Sequence, residues 1–137
     1  MDKQEMNRDV FCDKNDIMQT ALEFIRQHCG QDITLNDAAR SVWLSPTYFS
    51  RLFSQSMGMK FSDYLRDCRM DKAKMLLETS SISVGKIAGM CGFRSAAYFI
   101  KVFAVKYGST PGEYRRAFKL IHGHSPGIRQ ETYRNAK

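Results

Sequence analysis

The sequence predicts an all-α protein: two helix-turn-helix units joined by a long central helix, about seven helices in all. Three observations predict it. Apolar residues recur at helical spacing, with no credible run that alternates like a strand. The chain repeats itself when shifted by 50 residues. Capping and helix-closing residues stand at the ends of the periodic stretches. With 137 residues, 43% of them hydrophobic, the chain has enough apolar side chains for a core without disulfide staples.

The repeat is the most informative feature. A shift of 50 places Ala38 on Ala88, Ser45 on Ser95, Tyr48 on Tyr98, Phe49 on Phe99 and Phe53 on Phe103. Gly58 then falls on Gly108, Tyr64 on Tyr114 and Arg66 on Arg116, with Arg51 and Asp63 meeting Lys101 and Glu113. Two copies of one supersecondary unit are therefore present.

The elements follow in order. Residues 1–16 hold three basic and five acidic side chains and few large apolar ones, which predicts a polar extension. Ile17, Ala21, Phe24, Ile25 and Cys29 then make an amphipathic helix. In the first copy, about residues 35–56, Thr34 and Asp37 have the spacing of a capping box, and Leu35, Ala38, Ala39 and Val42 share a helical face. Ser45 and Pro46 open the next helix as cap and first residue, and Gly58 permits the left-handed residue that closes it.

Residues 61–79 contain no helix breaker, so they predict one helix at least about 25 Å long. Phe61, Tyr64, Leu65, Cys68 and Met75 are expected on one side, Met70, Ala73 and Leu77 on the other. In the second copy, about residues 84–106, Ser83 precedes Val84, Ile87 and Ala88, Gly92 lies in the turn, Ser95 caps and Gly108 closes. Thr110-Pro111 starts a short helix through Tyr114. Residues 118–137, with four basic side chains and one acidic, are expected to be a flexible basic tail.

Twenty-one Lys and Arg oppose fourteen Asp and Glu, a formal net charge of +7 that favours a polyanionic partner. Residues 17–117 hold fourteen basic and eight acidic side chains, so most of the positive charge lies between the ends. No apolar run reaches the roughly 18 residues of a spanning helix, and Met-Asp-Lys-Gln-Glu-Met has no signal-peptide character. Nucleic acid and an anionic membrane surface are therefore the main candidate partners, export and membrane insertion are not expected, and a cytoplasmic protein is. Cys12, Cys29, Cys68 and Cys91 include no C-x-x-C pair, and three of them fall in apolar stretches that fit reduced, buried thiols. His28 beside Cys29, and His122 with His124, lack a recognisable fourth ligand, so neither a metal nor another cofactor is expected.

At this point the sequence resembles a known family. Leu44 through Phe53, Gly58-Met59, Arg69 through Ala73 to Leu76-Leu77, and Ile87-Ala88 with Gly92-Phe93 look like the DNA-binding domain of AraC/XylS-type transcription regulators. Tyr98-Phe99 through Val102-Phe103, Tyr107-Gly108 and Thr110 through Arg115 complete the pattern, which covers residues 17–117. The resemblance implies a sequence-specific regulator of double-stranded DNA, an activator working through RNA polymerase, with a recognition helix at about 46–56 and another at about 96–106. Because the two units differ and are joined in tandem, one chain is expected to cover two adjacent major-groove segments as a monomer, on an asymmetric site of roughly 20 base pairs, with DNA and no membrane as its partner. Members commonly carry a separate effector or dimerisation domain, so these residues are either a short stand-alone member or part of a longer regulator.

By position, Thr47, Ser50 and Arg51 would face base edges from the first recognition helix, and Ala96, Ala97, Ile100 and Lys101 from the second. Arg51 can bind guanine O6 and N7 in parallel, while Thr47 and Ser50 donate or accept. Many relatives are more polar in the second unit, with Ser or Thr at the place of Ile100 and Arg at that of Lys101. Ala97 and Ile100 suit thymine methyl groups or a protein surface equally. Ser45, Lys60, Arg94, Ser95, Lys106 and Arg115 flank the recognition helices and are the expected phosphate contacts. Arg66, Arg69 and Arg116 fit ion pairs with Asp63, Asp67 or Glu113, or DNA contact.

Two rival readings follow from the same residues. No nucleophile, base and acid can be assembled, and no phosphate-cradling glycine loop is present, so an enzyme is not expected. A helical adaptor that binds protein alone is favoured only by the apolar Ala97, Ile100 and Ala104 face. Titration on duplex DNA separates that reading from a regulator.

Overall fold

The computed structural model of the protein describes residues 13–122. Those residues form seven helices and no strand: α1 (Lys14–His28), α2 (Leu35–Ser41), α3 (Pro46–Met57), α4 (Phe61–Thr79), α5 (Val84–Met90), α6 (Ala96–Tyr107) and α7 (Pro111–His122). The all-helical class is as the sequence predicts.

The ends differ from expectation. Helix α1 starts at Lys14, inside the stretch read as an extension, because Asp13 caps it: the Asp16 N–H donates to Asp13 Oδ1 at 2.9 Å. Residues 1–12, Cys12 among them, lie outside the described residues. Helix α7 does not stop at Tyr114 but runs twelve residues, taking in 118–122 of the expected tail. Thr110 and Glu113 form a capping box at its start, with the Thr110 N–H donating to Glu113 at 2.9 Å and the Glu113 N–H to Thr110 Oγ1 at 3.2 Å. Phe118 and His122, four apart, stack at 4.0 Å and carry the helix to its end. Residues 123–137, with His124, lie outside the described residues.

The described residues divide between Cys68 and Arg69 into two compact units, and each has its own core. In the first, Ala21 and Ile25 of α1, Ala38 and Ala39 of α2, and Phe49 and Phe53 of α3 are buried together, with Leu65 of α4 joining them. In the second, Met70, Ala73 and Leu77 of α4 pack with Ile87 and Ala88 of α5 and with Phe99 and Phe103 of α6. The expected side for Met75 is corrected: it is 51% exposed. Beyond Cys68 the buried stripe is Met70, Ala73 and Leu77, and residue 75 lies about 200° around the helix from Ala73.

Two ring contacts recur at nearly the same distance in both units. The Phe49 and Phe53 rings are 5.7 Å apart, as are those of Phe99 and Phe103. Tyr64 meets Phe53 at 5.6 Å and Tyr114 meets Phe103 at 5.7 Å. In the second unit the Tyr114 hydroxyl donates to the Glu78 carboxylate, and Lys74 Nζ lies 5.4 Å from the Tyr107 ring centroid.

The repeat is not a uniform shift of 50. Helices α2 and α5 with their caps Thr34 and Ser83 correspond at a shift of 49, and α3 and α6 with Ser45 and Ser95 at 50. Ala88 therefore matches Ala39 rather than Ala38: the Leu44 N–H donates to the Ala39 carbonyl at 3.0 Å, and the Phe93 N–H to the Ala88 carbonyl at 2.9 Å. Arg94 is the extra residue of the second turn. The same pairing aligns Trp43, φ 62°, with Gly92, φ 89°, the left-handed residue of each turn.

Trp43 is 92% exposed, so its indole gains no core packing in return for that conformation. A non-glycine residue pays roughly 1–2 kcal/mol for left-handed backbone, whereas glycine costs about 0.5–1 kcal/mol in chain entropy. Trp43→Gly is expected to stabilise the protein by up to about 1 kcal/mol, read as a higher urea midpoint by circular dichroism. A lower midpoint would show that the indole makes a stabilising contact.

Candidate nucleic-acid interface

Helices α3 and α6 are the second helices of the two units, and each is fixed at both ends. The Tyr48 N–H donates to Ser45 Oγ at 3.2 Å and the Tyr98 N–H to Ser95 Oγ at 3.1 Å. At the other end Gly58 (φ 71°) and Gly108 (φ 81°) take left-handed conformations and donate to the Ser54 and Ala104 carbonyls at 2.9 and 2.8 Å. Each helix turns its phenylalanine pair inward, so the opposite face meets solvent.

Thr47, Ser50 and Arg51, the three polar residues expected to read bases, are all exposed on that face of α3, as are Ser54 and Gln55. The corresponding face of α6 exposes Ala97, Ile100, Lys101 and Val105, with Ala104 half-buried beside them, and Tyr98 and Lys106 are exposed as well. Ala96 departs from expectation, since it is half-buried and packs on the second core. Val105 and Gln55 did not stand out by residue type; their angle on the helical wheel, next to Lys101 and Arg51, is the signal that finds them.

Neither α3 nor α6 contains an acidic residue, although the chain has fourteen. First turns usually attract Asp or Glu because the free N–H groups there carry partial positive charge. Here those ends stay electropositive, with the Ser45 and Ser95 hydroxyls beside them able to donate outward while accepting the cap bond. Lys60 and Arg94 are exposed, and Lys106 is exposed with its Nζ 5.6 Å from the Tyr107 ring centroid. In the first turns of α2 and α7 the acidic residues complete capping boxes: the Thr34 backbone N–H holds the Asp37 carboxyl below its usual range, and Thr110 does the same for Glu113.

A helix-turn-helix with these capped, carboxylate-free second helices has relatives of known kind. The helix-turn-helix domain family matches residues 38–117 of this chain. The regulatory protein PocR of Salmonella typhimurium is 39% identical over 111 residues, 81% of this chain and 36% of its own length. The transcriptional activator RhaR of Mannheimia succiniciproducens is 33% identical over 101 residues, 74% of this chain and 37% of its own. The crystal structure of the DNA-binding domain of AdpA, in complex with a target DNA, superposes with a TM-score of 0.71 at 30% identity, covering 75% of this chain and 93% of that one.

The chain belongs to the AraC/XylS family of transcription regulators. It spans about a third of the length of these two curated relatives. Among the described residues no group of three or more His, Cys, Asp or Glu side chains is placed to hold a metal, and no helix is long and apolar enough to cross a membrane. Cys29 and Cys91 are buried and Cys68 is half-buried.

Within this AraC/XylS-type domain, Arg115, expected to contact phosphate, is half-buried and turns part of its guanidinium inward. Its Nε donates to the Leu77 carbonyl in the last turns of α4 at 3.2 Å, its Nη2 is buried without a hydrogen-bond partner, and burial lowers its pKa. The guanidinium satisfies a helix-end carbonyl that the helix itself leaves open. Arg66 makes an exposed ion pair with Asp63 at 3.5 Å. Arg115→Ala is expected to lower stability by about 1 kcal/mol, the loss of one hydrogen bond, whereas Lys60→Ala leaves the thermal midpoint unchanged. Equal midpoints for the two variants would return Arg115 to the surface set.

Proposed function

We propose that the chain binds double-stranded DNA as a sequence-specific transcription regulator, placing α3 and α6 in successive major-groove segments of one asymmetric site of roughly 20 base pairs. The observation that carries the reading is the pair of matching helices, each rigidly capped, free of carboxylates and turned outward by its phenylalanines. Because the two units differ and lie in tandem on one chain, one copy occupies one site. Thr47, Ser50 and Arg51 read base edges, Lys101 meets a base edge or a phosphate, and Ser45, Lys60, Arg94, Ser95 and Lys106 hold phosphates. The DNA complex of AdpA's domain supports DNA as the partner, and RhaR's name as an activator supports activation, which acts through RNA polymerase in the bacterial cytoplasm. No catalytic step belongs to this reading.

Fluorescence anisotropy titration on duplex DNA tests it. With roughly 6–8 phosphates neutralised, log affinity is expected to fall with log salt at a slope of about −5 to −7. Arg51→Ala is expected to cost about 1–3 kcal/mol on the specific site and to relax preference at one or two base positions. Lys60→Ala weakens all sequences alike and flattens the slope by up to about one unit. A flat salt response, or an obligate two-chain complex on a palindrome, would overturn the proposal.

A further inference from the structure

Resting on the DNA-binding reading, we propose that α6 recognises thymine by its C5-methyl group through an apolar stripe of Ala97, Ile100 and Ala104 extended by Val105. The cap, the closing glycine and the phenylalanine pair are the same in α3 and α6, so the outer face of α6 holds in its unit the place that the outer face of α3 holds in the other. Position for position, Thr47, Ser50, Ser54 and Gln55 of α3 are replaced by Ala97, Ile100, Ala104 and Val105 of α6. Every hydrogen-bonding side chain of that stripe is lost except the cation, Arg51 becoming Lys101.

The replacements are not core residues displaced outward. Val105 is 81% exposed and Ile100 37%, while Phe99 and Phe103 fill the interior. Nor is the surroundings' charge that of an ordinary apolar docking face. Arg94 and Lys106 are exposed, Lys101 stands within the stripe, and α6 has no carboxylate. A second copy of this chain, itself at +7, would bring like charge to that border.

The occupant must therefore present apolar groups inside a frame of negative charge. In the major groove that description fits one group, the thymine C5-methyl, flanked on both sides by phosphates. The two alanines are small enough for the helix to approach the base edges closely, and Ile100 projects between them at the next turn.

Removing only the methyl tests the inference. The probe is a duplex of about 20 base pairs selected on the wild-type protein, remade with deoxyuridine for thymine in one half at a time, which keeps every base-pairing and groove hydrogen-bond group. Substitution in the half facing α6 is expected to weaken binding about threefold to tenfold, as for one or two methyl groups withdrawn from apolar contact. The same change in the half facing α3 is expected to alter affinity less than about twofold. Ile100→Ala, with folding checked by circular dichroism, is expected to bind the thymine duplex as weakly as wild type binds the uracil one and to ignore the difference between them. Tight binding that is indifferent to deoxyuridine in both halves would overturn the thymine assignment while leaving DNA binding intact. Failure to bind any duplex, with Ile100→Ala instead abolishing self-association of the chain, would overturn both.

Discussion

The phenylalanine pair on the inner face of each second helix is the constraint on which the rest depends. At 3.6 residues per turn, burying positions 49 and 53 fixes 47, 50, 51 and 54 on the outside, and burying 99 and 103 does the same for 97, 100, 101 and 104. Truncating a buried phenylalanine costs roughly 3–5 kcal/mol, far more than any exposed contact on these helices contributes. The core thus decides which side chains meet a partner. Tyr64 and Tyr114 close each pair from the neighbouring element at nearly equal distances, so the two interiors share this aromatic triad.

With the interiors held constant, the exteriors are free to diverge. Helix α3 carries hydroxyls, an amide and a guanidinium, whereas α6 carries methyl groups and one ammonium in the same places. Hydrogen-bonding side chains discriminate among all four base pairs in the major groove, while apolar ones recognise only the thymine methyl. On the proposed DNA-binding reading the two helices are readers of unequal resolution on one chain, and the absence of carboxylates from both leaves no like charge on either face to repel phosphate.

Much of this was legible in the sequence because the relevant signals are local. The caps Thr34, Ser45, Ser83 and Ser95 and the closers Gly58 and Gly108 act within one turn of themselves, and the helices they bound lie where those residues put them. What was not legible depends on tertiary context. Arg115 reads as a surface cation until the end of α4 offers it the Leu77 carbonyl. Met75 reads as apolar periodicity until the buried stripe of α4 turns from one core to the other. The change of register between first and second helices was masked because Ala38 and Ala39 are adjacent and identical, so either aligns with Ala88. Helix α7 outran its expected end because a capping box and the Phe118 and His122 stack extend it beyond the last repeated residue.

On the proposed reading, one chain carries two recognition helices of unequal information content. Selection of bound sites from a random duplex pool measures that content directly. The expected outcome is a single asymmetric consensus of roughly 20 base pairs, with sharply defined bases in one half and a weaker preference in the other, about one helical turn away. A palindrome with two equally defined halves, or a pool that shows no enrichment, would contradict it.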